Sequence, residues 1–164
     1  MRLEGSCHCG AIRFSLDSRT YYPFMRCYCS VCRKTAGGGG YASNLMGSAE
    51  GFEVTGKENL SVYQAMVPDK NNPANRIQSP ARRHFCQICG SALYLLDPRW
   101  PKWVYPLASA INTPLPIPPQ RTHIFTADKP SWVEIPQSPD DLCFDAYPDE
   151  SIKTWHQRHH LLEE

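Results

Sequence analysis

The chain has no apolar run long enough to cross a bilayer as a helix. Its start, Met1-Arg2-Leu3-Glu4-Gly5, also lacks the apolar stretch of a secretory signal. An excess of one charge is missing as well: 17 Lys and Arg face 16 Asp and Glu, for a net charge of +1. A dedicated nucleic-acid binder normally carries a basic excess or stripe. The densest basic cluster, Arg82-Arg83-His84, is read as a solvated strand end. There is no βαβ alternation and no repeat at solenoid periods. These absences predict a soluble, cytoplasmic protein with neither a nucleic-acid nor a membrane partner. In such a reducing compartment cysteines serve as ligands or catalysts rather than in disulfides.

Proline and glycine, by contrast, are plentiful, with 15 and 10 residues. Proline breaks helix interiors, so long helices are excluded and a loop-rich, mainly β domain follows. Ile12, Phe14 and Leu16 alternate with Arg13 and Ser15, as in a half-buried strand. Gly51–Thr55 and Leu60–Tyr63 read as strands around a Gly56–Asn59 turn. Ala92–Leu96 and Trp103–Tyr105 are further strands, and His123-Ile124-Phe125 places a hydrogen-bonded histidine on another. Val67–Pro80, with three prolines and three asparagines, reads as a long loop. Pro114–Pro119 holds four prolines in six residues and is extended. At the end, Asp149 is expected to cap a helix of about three or four turns with Ile152, Trp155 and His159 on one face. The domain expected over 1–140 is thus followed by an extension, 141–164, with a short helix. Trp100 and Trp103 are read as packing residues.

Eight cysteines are the strongest departure from ordinary composition, and seven fall in three tight groups. Cys7 and Cys9 form a CxC, Cys27, Cys29 and Cys32 a CxCxxC, and Cys86 and Cys89 a CxxC. Neighbours in a CxC on a strand point to opposite faces and would make a strained disulfide. They reach one metal ion if the chain turns between them, and Gly10 and Gly90 follow two of the groups where such turns are needed. A redox CxxC calls for a helix start in a βαβ setting, which is absent. Zinc is the expected metal. Structural zinc is closed by four protein ligands, whereas catalytic zinc usually has three and an open position. Seven thiolates divide naturally into four plus three, and the spacing leaves open which groups join.

The remaining residues receive plainer readings. Cys143 is expected to be buried as a small hydrophobe, and His8 to be exposed. His156, His159 and His160 are expected on a solvated helix face. Arg33, Lys34 and the Gly37–Gly40 run are candidate donors to a developing alkoxide, against a plain reading as solvated charge and a mobile turn.

Gly5–Ala11, Cys27–Lys34 and His84–Ser91 together resemble the glutathione-dependent formaldehyde-activating enzyme family, which shares a domain with centromere protein V. The likeness extends through His123-Ile124-Phe125 to Asp128–Trp132 and covers roughly residues 3–135. It implies an Mss4-like β-tent of antiparallel sheets pinned by zinc. It also implies a structural zinc on Cys7, Cys9, Cys86 and Cys89 and a second, catalytic and labile zinc on Cys27, Cys29 and Cys32. The implied activity is that of a carbon–sulfur lyase acting on the adduct of glutathione and formaldehyde or a related aldehyde. A zinc-pinned protein-interaction module without catalysis is the alternative.

Overall fold

The alternation from Ile12 to Leu16 builds strand β2 (Arg13–Asp17), with Phe14 and Leu16 buried. In this computed structural model, which describes residues 1–136 and 138–162, β2 pairs antiparallel with β1 (Arg2–Ser6). Gly5 lies opposite Phe14, and a Cβ there would stand 2.3 Å from the Phe14 ring and 2.6 Å from the Ala110 carbonyl oxygen. Glycine at this position therefore lets the ring cross the strand.

Between β2 and the next sheet run β3 (Met25–Cys27), helix α1 (Ser30–Ala36) and β4 (Gly47–Ser48). The two strands expected around residues 56–59 form as β5 (Glu53–Thr55) and β6 (Leu60–Tyr63). They join different sheets: β5 pairs with β2, and β6 pairs with β9 (Arg82–Cys86). β10 (Ala92–Leu96) and β11 (Trp103–Pro106) complete a five-stranded antiparallel sheet in the order β4-β11-β10-β9-β6. Leu3, Ile12, Leu16, Leu93 and Val104, drawn from both sheets and the turn before β2, share one core. Phe14, Phe52 and Tyr94 meet edge to face within it, with Phe14 and Tyr94 centroids 5.5 Å apart.

Val67–Pro80 departs from the expected loop. β7 (Met66–Pro68) and β8 (Arg76–Gln78) pair as an antiparallel hairpin, with the prolines and asparagines concentrated at its tip and flanks. The composition marked the turn correctly but masked the two short strands beside it.

The third sheet is parallel: β12 (Thr122–Ile124) lies between β3 and β13 (Leu142–Phe144). Cys143 is exposed, contrary to its expected burial, on β13 at the edge of this sheet. Helix α2 (Ile152–Arg158) is two turns long, shorter than expected, and its cap is Ser151 rather than Asp149. The Ser151 hydroxyl accepts the Thr154 N–H at 3.1 Å. Trp155 is fully buried and stacks on Phe24 at 4.0 Å. His156 is also fully buried, not solvated: its Nδ1 donates to the Ile152 carbonyl at 2.8 Å, and its Nε2 accepts the Tyr22 N–H at 3.2 Å.

Candidate metal centres

The first centre lies where two strand-to-strand connections meet. Cys7 follows β1, and Cys86 closes β9. Each buried cysteine begins a tight turn that ends on an antiparallel pair. Gly10 N–H donates to the Cys7 carbonyl and Gly90 N–H to the Cys86 carbonyl, at 3.1 and 2.8 Å. Both glycines take a left-handed backbone, with φ of 77° and 75°. The turns place Cys9 and Cys89 at the surface, facing their buried partners. All four Sγ atoms lie within 4.8 Å of one another.

The donor set fits a tetrahedral metal. A metal–sulfur bond of about 2.3 Å implies tetrahedral sulfur edges of about 3.8 Å. The Cys7–Cys9 and Cys9–Cys86 separations are 3.5 and 3.8 Å. Those distances are far longer than a disulfide bond, and all eight cysteines are free. The Ile12 N–H points at Cys7 Sγ from 3.2 Å, as expected for a thiolate held by backbone donors. Burial works against Cys7 ionising, but this N–H and the neighbouring thiols hold its pKa below the ordinary thiol value. Cys89 is lowered to about 5, chiefly by the Ser91 hydroxyl 3.2 Å away.

The second centre is local. Cys27 ends β3, Cys29 is the N-cap of α1, and Cys32 lies in the first turn of that helix. Cys29 Sγ accepts the Cys32 N–H at 3.4 Å, so the CxxC is closed by helix capping itself. The three sulfurs lie within 4.8 Å of one another, with Cys27 buried and the other two half-buried. Hydrogen bonds from Cys27 and then Cys32 bring the Cys29 thiol down to about 2. Cys27 moves up, because its neighbours' hydrogen bonds favour its protonated form and burial adds to the effect. On Cys32 the Cys27 contact acts downward, yet the Cys29 thiolate and burial prevail and raise it to about 11. A bound cation would favour the thiolate form of all three sulfurs.

The sequence singled out all seven sulfurs, and the fold gathers them as four and three. His8 is exposed between its two cysteines. His123, read as a hydrogen-bonded strand residue, is fully buried, with Nδ1 2.8 Å from the Tyr28 hydroxyl and Nε2 3.5 Å from Asp141 Oδ2. This buried contact pins Tyr28 between Cys27 and Cys29. Nothing in the spacing pointed to that tyrosine.

A cavity of about 410 Å³ opens beside the second centre. Cys32 lines it from α1, Arg83 and His84 from β9, and Gly90 from the turn of the first centre. None of Arg33, Lys34 or Gly37–Gly40 is among its lining residues. Arg33 and Lys34 sit in the last turn of α1, and Gly37 caps that helix. The cation in the wall is Arg83, three residues before Cys86, which had been read as part of a solvated strand end.

The arrangement agrees with the sequence comparisons. The family model described as glutathione-dependent formaldehyde-activating enzyme matches residues 2–128, a span that contains both cysteine centres. The chain belongs to this family. A protein of Halomonas elongata named "Putative glutathione-dependent formaldehyde-activating enzyme" is 56% identical over 158 residues, covering 96% of each chain. The crystal structure of a Rhodobacter sphaeroides protein aligns with a TM-score of 0.51 at 24% identity, over 69% of this chain and 91% of that one. That likeness extends to the fold alone. Among the described residues, no helix is long and apolar enough to cross a membrane.

Proposed function

We propose that this protein is a zinc-dependent enzyme that joins glutathione to formaldehyde or a related aldehyde, or cleaves the adduct, as a carbon–sulfur lyase. The observation that carries the proposal is the odd, three-thiol cluster beside a cavity, set apart from a complete four-thiol cluster.

Cys7, Cys9, Cys86 and Cys89 hold a structural ion in this reading. The ion ties the β1–β2 connection to the β9–β10 connection, 77 residues apart between Cys9 and Cys86. Closing so long a loop contributes several kcal/mol to folding through loop closure alone. The pinned sheets then form an Mss4-like tent. Cys27, Cys29 and Cys32 hold the second ion and leave one coordination position for substrate.

Zinc bound there would favour the thiolate form of a thiol at neutral pH, and three cysteine thiolates make the centre too electron-rich to suit hydroxide chemistry. The protein's own residues shape the rest. Helix capping fixes Cys29 relative to Cys32, and the Tyr28–His123 contact holds the chain between Cys27 and Cys29. The cavity beside Cys32 is lined mainly by apolar atoms, while Arg83 supplies positive charge in its wall.

The test is metal analysis combined with glutathione titration. The proposal expects about two zinc ions per chain, one tightly held and one whose retention changes as glutathione is added. One tight ion that glutathione does not disturb would instead favour a zinc-pinned interaction module.

A further inference from the structure

The cavity beside Cys32 has more room than formaldehyde needs, and the wrong chemistry for glutathione. Its volume is about 410 Å³, within the range of pockets that enclose ligands of many heavy atoms. A water molecule takes a share of roughly 30 Å³ in the liquid, and a two-heavy-atom aldehyde is only modestly larger. Formaldehyde alone would leave most of the space unfilled.

The walls are mainly apolar. Ala36 comes from α1, Ala92 and Leu95 from β10, and Ala42 and Leu107 from the connecting segments. Tyr94 adds a ring, with His84 stacked on it at 4.6 Å. Arg83 is the cationic side chain in the lining, and no carboxylate among the described residues joins it. Glutathione carries two carboxylates and an ammonium at neutral pH. One arginine cannot match all three, and burying the rest against alanine and leucine is unfavourable. An uncharged apolar body with a polar reacting end fits these walls instead.

We infer that the cavity receives the carbon body of an acceptor aldehyde larger than formaldehyde, of the medium-chain alkyl or aryl class, while glutathione approaches from the open side of the three-thiol cluster. This inference rests on the thiol–aldehyde reading above and names its carbonyl substrate. The carbonyl end lies toward Cys32 and Arg83, and the hydrocarbon lies toward Ala36, Ala92 and Leu107. Cys32 and Arg83 line the same cavity, so the one cationic side chain shares that space with the reactive sulfur. In the addition, the glutathione sulfur forms a bond to the carbonyl carbon. The C=O π pair moves to oxygen, and the proton lost by the thiol is taken up there. The product is a hemithioacetal, no oxidant or reductant is consumed, and cleavage runs the same steps backward.

The experiment uses the zinc-loaded full-length chain. Adduct formation with glutathione is followed by NMR for formaldehyde, hexanal and benzaldehyde. In parallel, the unreactive probe 1-hexanol is titrated while the methyl resonances of Ala36, Ala92 and Leu107 are recorded. Each added methylene gains hydrophobic transfer energy, so kcat/KM for hexanal should exceed that for formaldehyde by about tenfold or more. 1-Hexanol should shift the three methyls. Ala92→Leu, which narrows the cavity from β10, should lower the hexanal-to-formaldehyde ratio by about tenfold. Ala36→Leu does the same from α1, and a melting curve shows which variant has kept its fold. Turnover of formaldehyde with a flat aldehyde profile and no methyl shifts overturns this inference and leaves the parent reading standing. Acceleration with none of the three aldehydes overturns the parent reading, and this inference with it.

Discussion

Gly5 shows how finely a single atom is constrained in this fold. A Cβ there would meet the Phe14 ring at 2.3 Å and the Ala110 backbone at 2.6 Å. The ring could shift, but the backbone oxygen has no easy retreat. Gly5→Ala should therefore destabilise the protein by about 1–3 kcal/mol, the range for overpacking a core. Chemical denaturation checks this; a midpoint equal to wild type would show that β1 can move away from Phe14. On the zinc proposal the cysteines behave differently, because each would contribute through a shared ion. Cys86→Ser removes a buried member of the four-sulfur cluster and should lower the melting temperature sharply, with loss of one zinc equivalent. A soluble variant with unchanged melting and zinc content would reject the structural assignment.

Residue type made the sulfurs legible, since spacing and glycine placement carry the geometry of a metal turn in the sequence itself. Burial was harder to read. Cys143 is of a type usually buried but lies on an edge strand, and His156 is of a type usually solvated but fills the space beside Trp155. Both outcomes depend on what covers a face, which is a tertiary fact that local pattern does not encode.

At the scale of elements, α1 was missed because it is seven residues long and its capping residue is a cysteine rather than the usual serine, threonine or aspartate. The β7–β8 hairpin was missed because proline and asparagine dominate its composition. α2 was legible as a helix, yet the sequence overstated its length. Its hold on the domain is a small aromatic cluster. Trp155→Ala removes the stacking on Phe24 and should cost about 3–5 kcal/mol. A variant within experimental error of wild type in thermal denaturation would show that α2 is dispensable to the fold.

The same helix has a pH signature. Burial holds His156 below the ordinary histidine value of 6.5, and Nε2 must stay unprotonated to accept the Tyr22 N–H. The unfolded chain binds this proton more readily than the folded one, so stability rises with pH through this range. The contribution is fully present above 6.5 and is lost progressively as pH falls below it toward the folded value. His84 and His123 are also lowered by burial and act in the same direction. Melting temperature should therefore fall between pH 7 and about pH 5, and the slope should be shallower in His156→Gln. Equal slopes would remove His156 from the acid response.

Across the whole molecule, the four-sulfur cluster lies between connections of the three-stranded and five-stranded antiparallel sheets, while the three-sulfur cluster sits where β3 of the parallel sheet enters α1. On the proposed zinc reading, this separation would let one site support the fold and the other change occupancy without unfolding it. The antiparallel sheets were readable from alternation. The parallel sheet was not, because its strands are three residues each and come from distant parts of the chain. The cavity was unreadable for a similar reason: its walls come from four elements and three connecting segments, and no single stretch of sequence carries their pattern.

The most direct test of this division of labour is the rate of interconversion between free formaldehyde and its glutathione adduct, measured by NMR exchange for the wild type and for Cys29→Ala, with a thermal melt on each sample. The account predicts acceleration by the wild type, none by Cys29→Ala, and a melting temperature lower in the variant by only about 2–4 °C, the scale of one lost helix cap. An undiminished rate in Cys29→Ala would remove the catalytic role from the three-sulfur cluster, and global unfolding of that variant would mean that the structural and catalytic sites had been exchanged.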